Sequence, residues 1–315
     1  MSASWTGACL STQVTDGVLE VALHADPLNE IGLDMLTELE RVASLVRAGG
    51  HRAVLIHSEN AKGFSAGANL WELHQGLASA RDVRALPEHA RRLFDGKRRA
   101  ARAGLATVRG LTRGDYGLDP LRAAKVWGVR AFLDRIHAVF DTLDTAPVPV
   151  IAAVHGVCFG GGFELALTAD VIVADKTARF AFPELRLGLV PGFGGVPRLE
   201  RDLGNALVRE LLLSGRSLGA ARAHEVGLVA QLVGPGKALG VARKLAAQTQ
   251  RFDAATVAAA KPFLKPFPAA RLAEEKALFC RLLTSPAVME ALDAFVTSED
   301  LMPYLPRRQA AAAPN

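Results

Sequence analysis

Few residues of this 315-residue chain have the type and spacing to do chemistry. Residues 158–164 read CFGGGFE, a run of three glycines with Glu164 close behind it. A second acid, Glu184, stands in FPELRLGLVPG. Three glycines in a row are costly to order, because glycine loses the most backbone freedom on folding. What they offer in return is backbone N–H groups that a ligand can approach with no Cβ in the way. A carboxylate nearby can serve as general acid or base if its surroundings tune its proton affinity. Taken singly, Glu164 also reads as a first-turn acid complementing a helix dipole, and Glu184 as a solvated loop carboxylate.

Two more glycine clusters flank the first: FSAGANL (64–70) and PGFGGVPR (191–198). No Gly-x-x-x-x-Gly-Lys-Ser/Thr run exists, so none is a phosphate loop. The triplet does not fit a dinucleotide fingerprint either, and no acid follows at the required distance. The eight histidines show no HExxH-like spacing, and His155 reads as packing at a strand end. Cys158 lies in the glycine loop without a basic partner, which argues against a nucleophile. Ser65 reads as a small pocket filler. The three cysteines (Cys9, Cys158, Cys280) are far apart with no CxxC, a usage that fits reduced thiols, a cytoplasmic protein and no metal.

The elements that must position these residues follow from periodicity. VLEVAL (18–23), AVLIHS (53–58), IAAVHG (151–156) and VIVAD (171–175) read as short strands. IGLDMLTELERVASLV (31–46) has helical spacing and stops at Gly49–Gly50. ELALTAD (164–170) reads as helix. The alternation is that of an α/β protein. From about 255 the chain reads all-helical, with KPFLKPFP as an interruption before RLAEEKALFCRLL and PAVMEALDAFV. The expected division is therefore a core over 1–254 and a C-terminal helical region over 255–315. The longest apolar run, VPVIAAV (148–154), is too short to span a membrane, and the N-terminus lacks the pattern of a signal peptide.

Charge is unevenly placed. The chain carries a net +5, and residues 81–135 alone hold 14 Lys/Arg against 6 Asp/Glu. This segment reads as a basic insert over about 78–135, plainly a solvated helical surface, and residues 129–143, within and after it, read as a packed helix. The excess is modest, aromatic residues are 6%, and no zinc-finger or RNA-recognition spacing accompanies it, so nucleic-acid binding is not expected.

Taken in order, PLNEIGLDML, GFSAGANL, PVPVIAAVHGVCFGGGFELALTADVIVAD, ARFAFPELRLGLVPGFGGVPRL and ELLLSGRSLGAARAHEVGLVAQLV resemble the crotonase superfamily (enoyl-CoA hydratase/isomerase). The resemblance runs from about residue 15 to 300, apart from the basic insert. It implies a crotonase-like spiral of ββα units with a C-terminal helical trimerisation region, and hence a homotrimer or hexamer. It places two backbone donors for an enolate oxygen at Ala68 and Gly161. Ala66, Leu70 and Gly160 are the neighbouring substrate-binding positions. Glu164 and Glu184 occupy the positions of the family's catalytic carboxylates, Glu184 as the acid facing the α-carbon and Glu164 as the group that orients or deprotonates water. The family's isomerases commonly keep only the carboxylate equivalent to Glu184, so the pair points to a hydratase, or a dehydratase in reverse. A double-bond isomerase or decarboxylase, and a non-catalytic thioester-binding scaffold, are the alternatives. No cofactor is implied beyond the coenzyme A or pantetheine of the substrate.

The chain also departs from the family. Basic residues that usually meet coenzyme A phosphates are replaced by Asp26, Trp71 and the run Thr297, Ser298, Glu299, Asp300. Ala68 and Gly161 are 93 residues apart, about twice the family's usual spacing. Either the basic insert supplies replacement arginines, or the acyl group is carried on an acidic acyl carrier protein.

Overall fold

The computed structural model describes residues 4–79 and 126–298. Most of the expected basic insert (80–125) and the acidic end of the tail (Glu299, Asp300) lie outside the described residues.

Eleven strands form two sheets among the described residues. The larger contains β1 (Trp5–Thr6), β2 (Leu10–Thr15), β3 (Val18–Leu23), β4 (Ala53–Ser58), β6 (Val150–Val154), β8 (Val171–Asp175) and β11 (Gln231–Val233), in the order β1-β2-β3-β4-β6-β8-β11. The first two pairings are antiparallel and the rest parallel. Strands β3, β4 and β6 are buried along their whole length. One face of the sheet packs on α1 (Leu33–Ala48) and α3 (Trp127–Asp144). The other meets α8 (Ala238–Thr249), whose Ala238, Ala242 and Ala246 recur every fourth residue and lie against Val18, Leu55, Ile151 and Val173. Burial on both faces explains the near-continuous apolar runs of these strands.

The smaller sheet positions the candidate site residues. Its order is β10-β9-β7-β5, from β5 (Gly63–Ser65), β7 (Val157–Phe159), β9 (Arg179–Ala181) and β10 (Leu218–Gly219). Strands β5, β7 and β9 are mutually parallel, with Ser65 opposite Cys158 and Cys158 opposite Phe180. Their carboxyl ends therefore reach one edge together. The segments beyond them lead to Ala66–Ala68, Gly160–Gly161 and Glu184, the usual place for ligands on parallel strands.

Helix α1 stops where the glycine pair predicts. Gly49 sits at φ 72°, and its N–H donates to the carbonyls of Leu45 and Val46. The helix expected over 129–143 is α3. The helix expected over 164–170 differs: α4 spans Gly161–Ala166, starting at the middle glycine, so Glu164 falls in its first turn as a site requires. Helices α2 (Leu70–Ser79), α5 (Gly195–Leu203), α6 (Asn205–Ser214) and α7 (Ala220–Glu225) complete the part before α8. The C-terminal part is α9 (Ala254–Leu264), α10 (Ala269–Leu282) and α11 (Pro286–Val296). The expected break in KPFLKPFP comes late, because α9 continues through Pro262 to Leu264. None of the described helices is long and apolar enough to cross a membrane.

Candidate active site

All seven residues expected at the site line one cavity of about 50 Å³: Ala66, Ala68, Leu70, Gly160, Gly161, Glu164 and Glu184. That volume holds a few waters or a few reacting atoms. A neighbouring cavity of about 370 Å³ shares Ala68, Leu73, Phe193 and Phe279 with it. Its remaining walls are mainly apolar, including Ile31, Leu33, Val129 and Phe132, with Gly76 of α2 and Gly128 of α3.

The backbone explains why two N–H groups face the first cavity. Ile31 N–H donates to the Gly67 carbonyl (2.7 Å), and Asn69 N–H donates to the Ile31 carbonyl (3.1 Å). In an extended segment alternate groups face opposite sides, so Ala68 N–H points away from Ile31. Gly161 opens α4, where the first N–H groups have no partner within the helix. Among the described residues neither N–H donates to a protein acceptor.

The glycines do different jobs. Gly67 lies at φ 99°, and an ideal Cβ there would stand 2.9 Å from Gly161 N, across the path to that N–H. A Cβ at Gly161 would stand 2.6 Å from the Phe193 ring and 3.3 Å from Ala68 N. Gly160, at φ 48°, lets Glu184 approach: a Cβ there would meet Glu184 Oε1 at 2.8 Å. The third glycine serves packing, since a Cβ on Gly162 would strike the Ser65 side chain.

Burial raises the proton affinity of both glutamates, but they differ in hydrogen bonding. Glu164 is only 2% exposed, and its Oε1 accepts from the N–H groups of Phe193 and Gly195, both at 2.8 Å. Burial pushes its pKa up to about 7, and those N–H bonds limit the rise by favouring the charged form. Glu184 opens the short 3₁₀ turn Glu184–Leu187. Its Oε2 is shut off from solvent and has no hydrogen-bond partner. Burial, and then the charge of Glu164, hold its proton well above the usual carboxylate range. Both carboxyls are pushed up by burial, and the two N–H bonds leave Glu164 the easier of the pair to ionise, the separation that acid–base division needs.

Other sequence candidates prove structural. Ser65 Oγ donates to the Asn29 carbonyl (2.7 Å) and accepts from Gly67 N–H, fixing the loop rather than a ligand. Cys158 is fully buried, and burial raises its thiol pKa, which opposes a nucleophilic role. His155 bonds the Asn60 carbonyl at the strand end, as its position suggests.

The sequence did not single out Phe193, Phe279, Glu275, Arg198 or His137. Phe193 packs against Phe132 (5.8 Å between ring centres) and Phe140 (6.0 Å) and lines both cavities. Phe279 and Glu275 come from α10, so the C-terminal helices help build the site. Arg198 is fully buried, and its guanidinium donates to the carbonyls of Phe193 and Gly194 and to Asp141 and Asp144. His137 Nε2 donates to the Gly192 carbonyl (2.8 Å); burial lowers its pKa to about 4, so it is neutral at physiological pH. Only the position of Phe193 inside PGFGG gave any hint from sequence.

The described residues thus define an α/β protein with two backbone donors and two unlike carboxylates at the carboxyl edge of a parallel sheet. The model of the enoyl-CoA hydratase/isomerase family matches residues 130–301, over half of the chain, and the chain belongs to that family. It is 40% identical over 152 residues to a 2,3-dehydroadipyl-CoA hydratase of Escherichia coli, covering 47% of this chain and 60% of that relative. It is 48% identical over 113 residues to a carnitinyl-CoA dehydratase of the same species, covering 36% of this chain and 43% of that relative. The chain thus spans less than two thirds of the length of both. The crystal structure of an enoyl-CoA hydratase from Mycobacterium avium subsp. paratuberculosis shares the fold, with a TM-score of 0.69 at 20% identity over 92% of this chain and 99% of that one.

Proposed function

We propose that this chain hydrates an α,β-unsaturated acyl thioester, or runs the reverse dehydration. The observation that carries this reading is the pair of carboxyls in one cavity, one held by two N–H groups and the other with an oxygen left without a partner, beside two uncommitted backbone N–H groups. In this mechanism the thioester oxygen accepts from Ala68 N–H and Gly161 N–H. Ionised Glu164 takes a proton from water as its oxygen bonds the β-carbon. The electron pair of the double bond moves onto the thioester oxygen as an enolate, which the two N–H donors stabilise. Protonated Glu184 then gives its proton to the α-carbon as the enolate collapses. Return of a proton from Glu164 to Glu184 resets the pair.

The direct test is incubation with an enoyl thioester in ¹⁸O-labelled water. Label at the β-carbon supports hydration. A β,γ-enoyl substrate converted without label indicates an isomerase, and binding without turnover of any acyl chain indicates a scaffold. The mechanism also fixes a pH profile. Glu164 works ionised, so activity rises with pH through its pKa of about 7. Glu184 works protonated, so activity falls again at higher pH. A bell-shaped kcat/KM profile with its acid limb near pH 7 is expected. A profile flat between pH 5 and 8 contradicts these roles.

The larger apolar cavity suits the acyl tail. Gly76 and Gly128 open it, since the atom nearest an ideal Cβ at Gly76 is Val129 Cγ2, 4.0 Å away, and nothing lies within 4 Å at Gly128. Each buried methylene contributes about 0.8 kcal/mol, about fourfold in kcat/KM. A Gly76→Leu substitution is expected to lower the kcat/KM ratio of an eight-carbon to a four-carbon enoyl thioester by about tenfold. An unchanged ratio removes the tail from this cavity.

The carrier proposed is coenzyme A, which both relatives' names contain. The carrier-protein alternative draws support from exposed Asp26 and Trp71, where basic side chains are expected. Comparing one acyl chain on coenzyme A and on carrier protein decides between them: a clear coenzyme A preference removes the alternative. The trimer or hexamer draws support from α9, which has no buried residue and leaves Phe263 85% exposed.

A further inference from the structure

The stretch 193–196 meets a third glutamate that the proposed chemistry does not use. Glu275 of α10 is buried, and its two oxygens accept from Gly194 N–H (2.7 Å) and Val196 N–H (2.8 Å). Glu164 takes the alternate pair, Phe193 N–H and Gly195 N–H. Four successive N–H groups are thus divided between two carboxylates. The carbonyls at the start of this stretch and just before it are also held: Gly192 by His137, and Phe193 and Gly194 by Arg198.

This arrangement puts a carboxylate where it gains little as packing. Burial, and next the charge of Glu164, push the Glu275 proton affinity up. A buried acid in that position is retained at a cost unless its two bonds matter. Without it, Gly194 N–H and Val196 N–H would be buried and unpaired, and peptide rotation to satisfy them would withdraw Phe193 N–H and Gly195 N–H from Glu164.

We propose that Glu275 is a positioning residue for Glu164: by holding the N–H groups of Gly194 and Val196, it keeps those of Phe193 and Gly195 aimed at the Glu164 carboxylate. This rests on Glu164 being the base of the proposed hydration. The charged and titratable groups facing this region are Glu164 on α4, Glu184, Arg198 on α5 with its partners Asp141 and Asp144 on α3, and His137 on α3. On α10 itself Arg271 and Glu274 pair with each other, Arg271 also with Glu200, and Lys276 with Asp134 of α3.

The test is Glu275→Gln, which keeps the shape but offers one acceptor where two are needed, with Glu275→Ala as the fuller deletion. The first readout needs no activity: a carbon-13 NMR titration of labelled glutamate carboxyls, with the Glu164 signal assigned through Glu164→Gln. Loss of N–H bonds raises the Glu164 midpoint, by about one pH unit, a tenfold change in proton affinity. If Glu275 acted only as a neighbouring charge, its removal would lower that midpoint. If it acted only as packing, the midpoint would not move. Either of those results overturns the proposal. The second readout is kinetic: the acid limb moves up with the NMR midpoint, and kcat falls by about tenfold or more with KM nearly unchanged. An NMR shift without hydration by the unmodified protein would leave the positioning intact and reject the hydratase reading.

Discussion

Replacing Glu184 with glutamine is expected to lower the hydration rate by a factor of about 10² to 10⁴, the usual contribution of a placed general acid. The amide keeps the shape of the side chain but has no acidic proton for the α-carbon. The same loss is expected for Glu164→Gln, by removal of the base. The fold should survive in both, and Glu184→Gln should be the more stable protein at pH 8. The sign follows from linkage. The folded protein holds the Glu184 proton well above the ordinary carboxyl value of 4.5, so above that pH the unfolded chain releases it more readily and stability declines. A neutral amide removes this decline, and a melting temperature higher by a few degrees is expected. Stopped assays of crotonyl thioester hydration, with thermal melts at pH 5 and pH 8, measure both effects. Turnover like that of the unmodified protein in either variant removes that carboxylate from the mechanism.

A comparable loss is expected from one methyl group at Gly67. An alanine Cβ there would stand 2.8 Å from the Phe159 carbonyl oxygen and 2.9 Å from Gly161 N. It would obstruct one of the two donors to the enolate oxygen, and φ 99° is a conformation that alanine resists. Loss of one such donor costs about 2.7–4 kcal/mol, a factor of about 10² to 10³ in kcat. Because the donor acts on charge that develops during reaction, kcat should fall more than KM rises. Gly162→Ala makes an informative comparison, since its Cβ strikes Ser65 rather than the donors. It should lower thermal stability more than it changes the kcat of the protein that remains folded. Equal kinetic effects at the two positions would contradict the division of labour within the glycine loops.

Much of the fold was legible because strands buried on both faces leave unbroken apolar runs, as in AVLIHS and VIVAD. The helix after the glycine triplet was less so. ELALTAD looks helical from its composition, yet α4 starts three residues earlier and ends at Ala166. Glycines carry no helical signal of their own, so the true start at Gly161 is invisible to periodicity. The break in KPFLKPFP was misplaced for a related reason: Pro262 is accommodated within α9.

The sequence by itself determined which residues are candidates for the site: Ala68, Gly161, Glu164 and Glu184 follow from local motifs and the family they resemble. The tertiary structure decided that they share one cavity and what surrounds each. Proton affinity depends on burial and on which N–H groups reach a carboxylate, and those come from Phe193 and Gly195, about thirty residues after Glu164. Glu275 and Phe279 lie more than a hundred residues beyond the glycine triplet, in an ordinary amphipathic stretch where AEEKALF marks nothing. They join the site only because α10 packs against the loop that Glu164 also holds. Side chains that act through long-range packing leave no short-range pattern, and that is why this part of the site had to be seen in three dimensions.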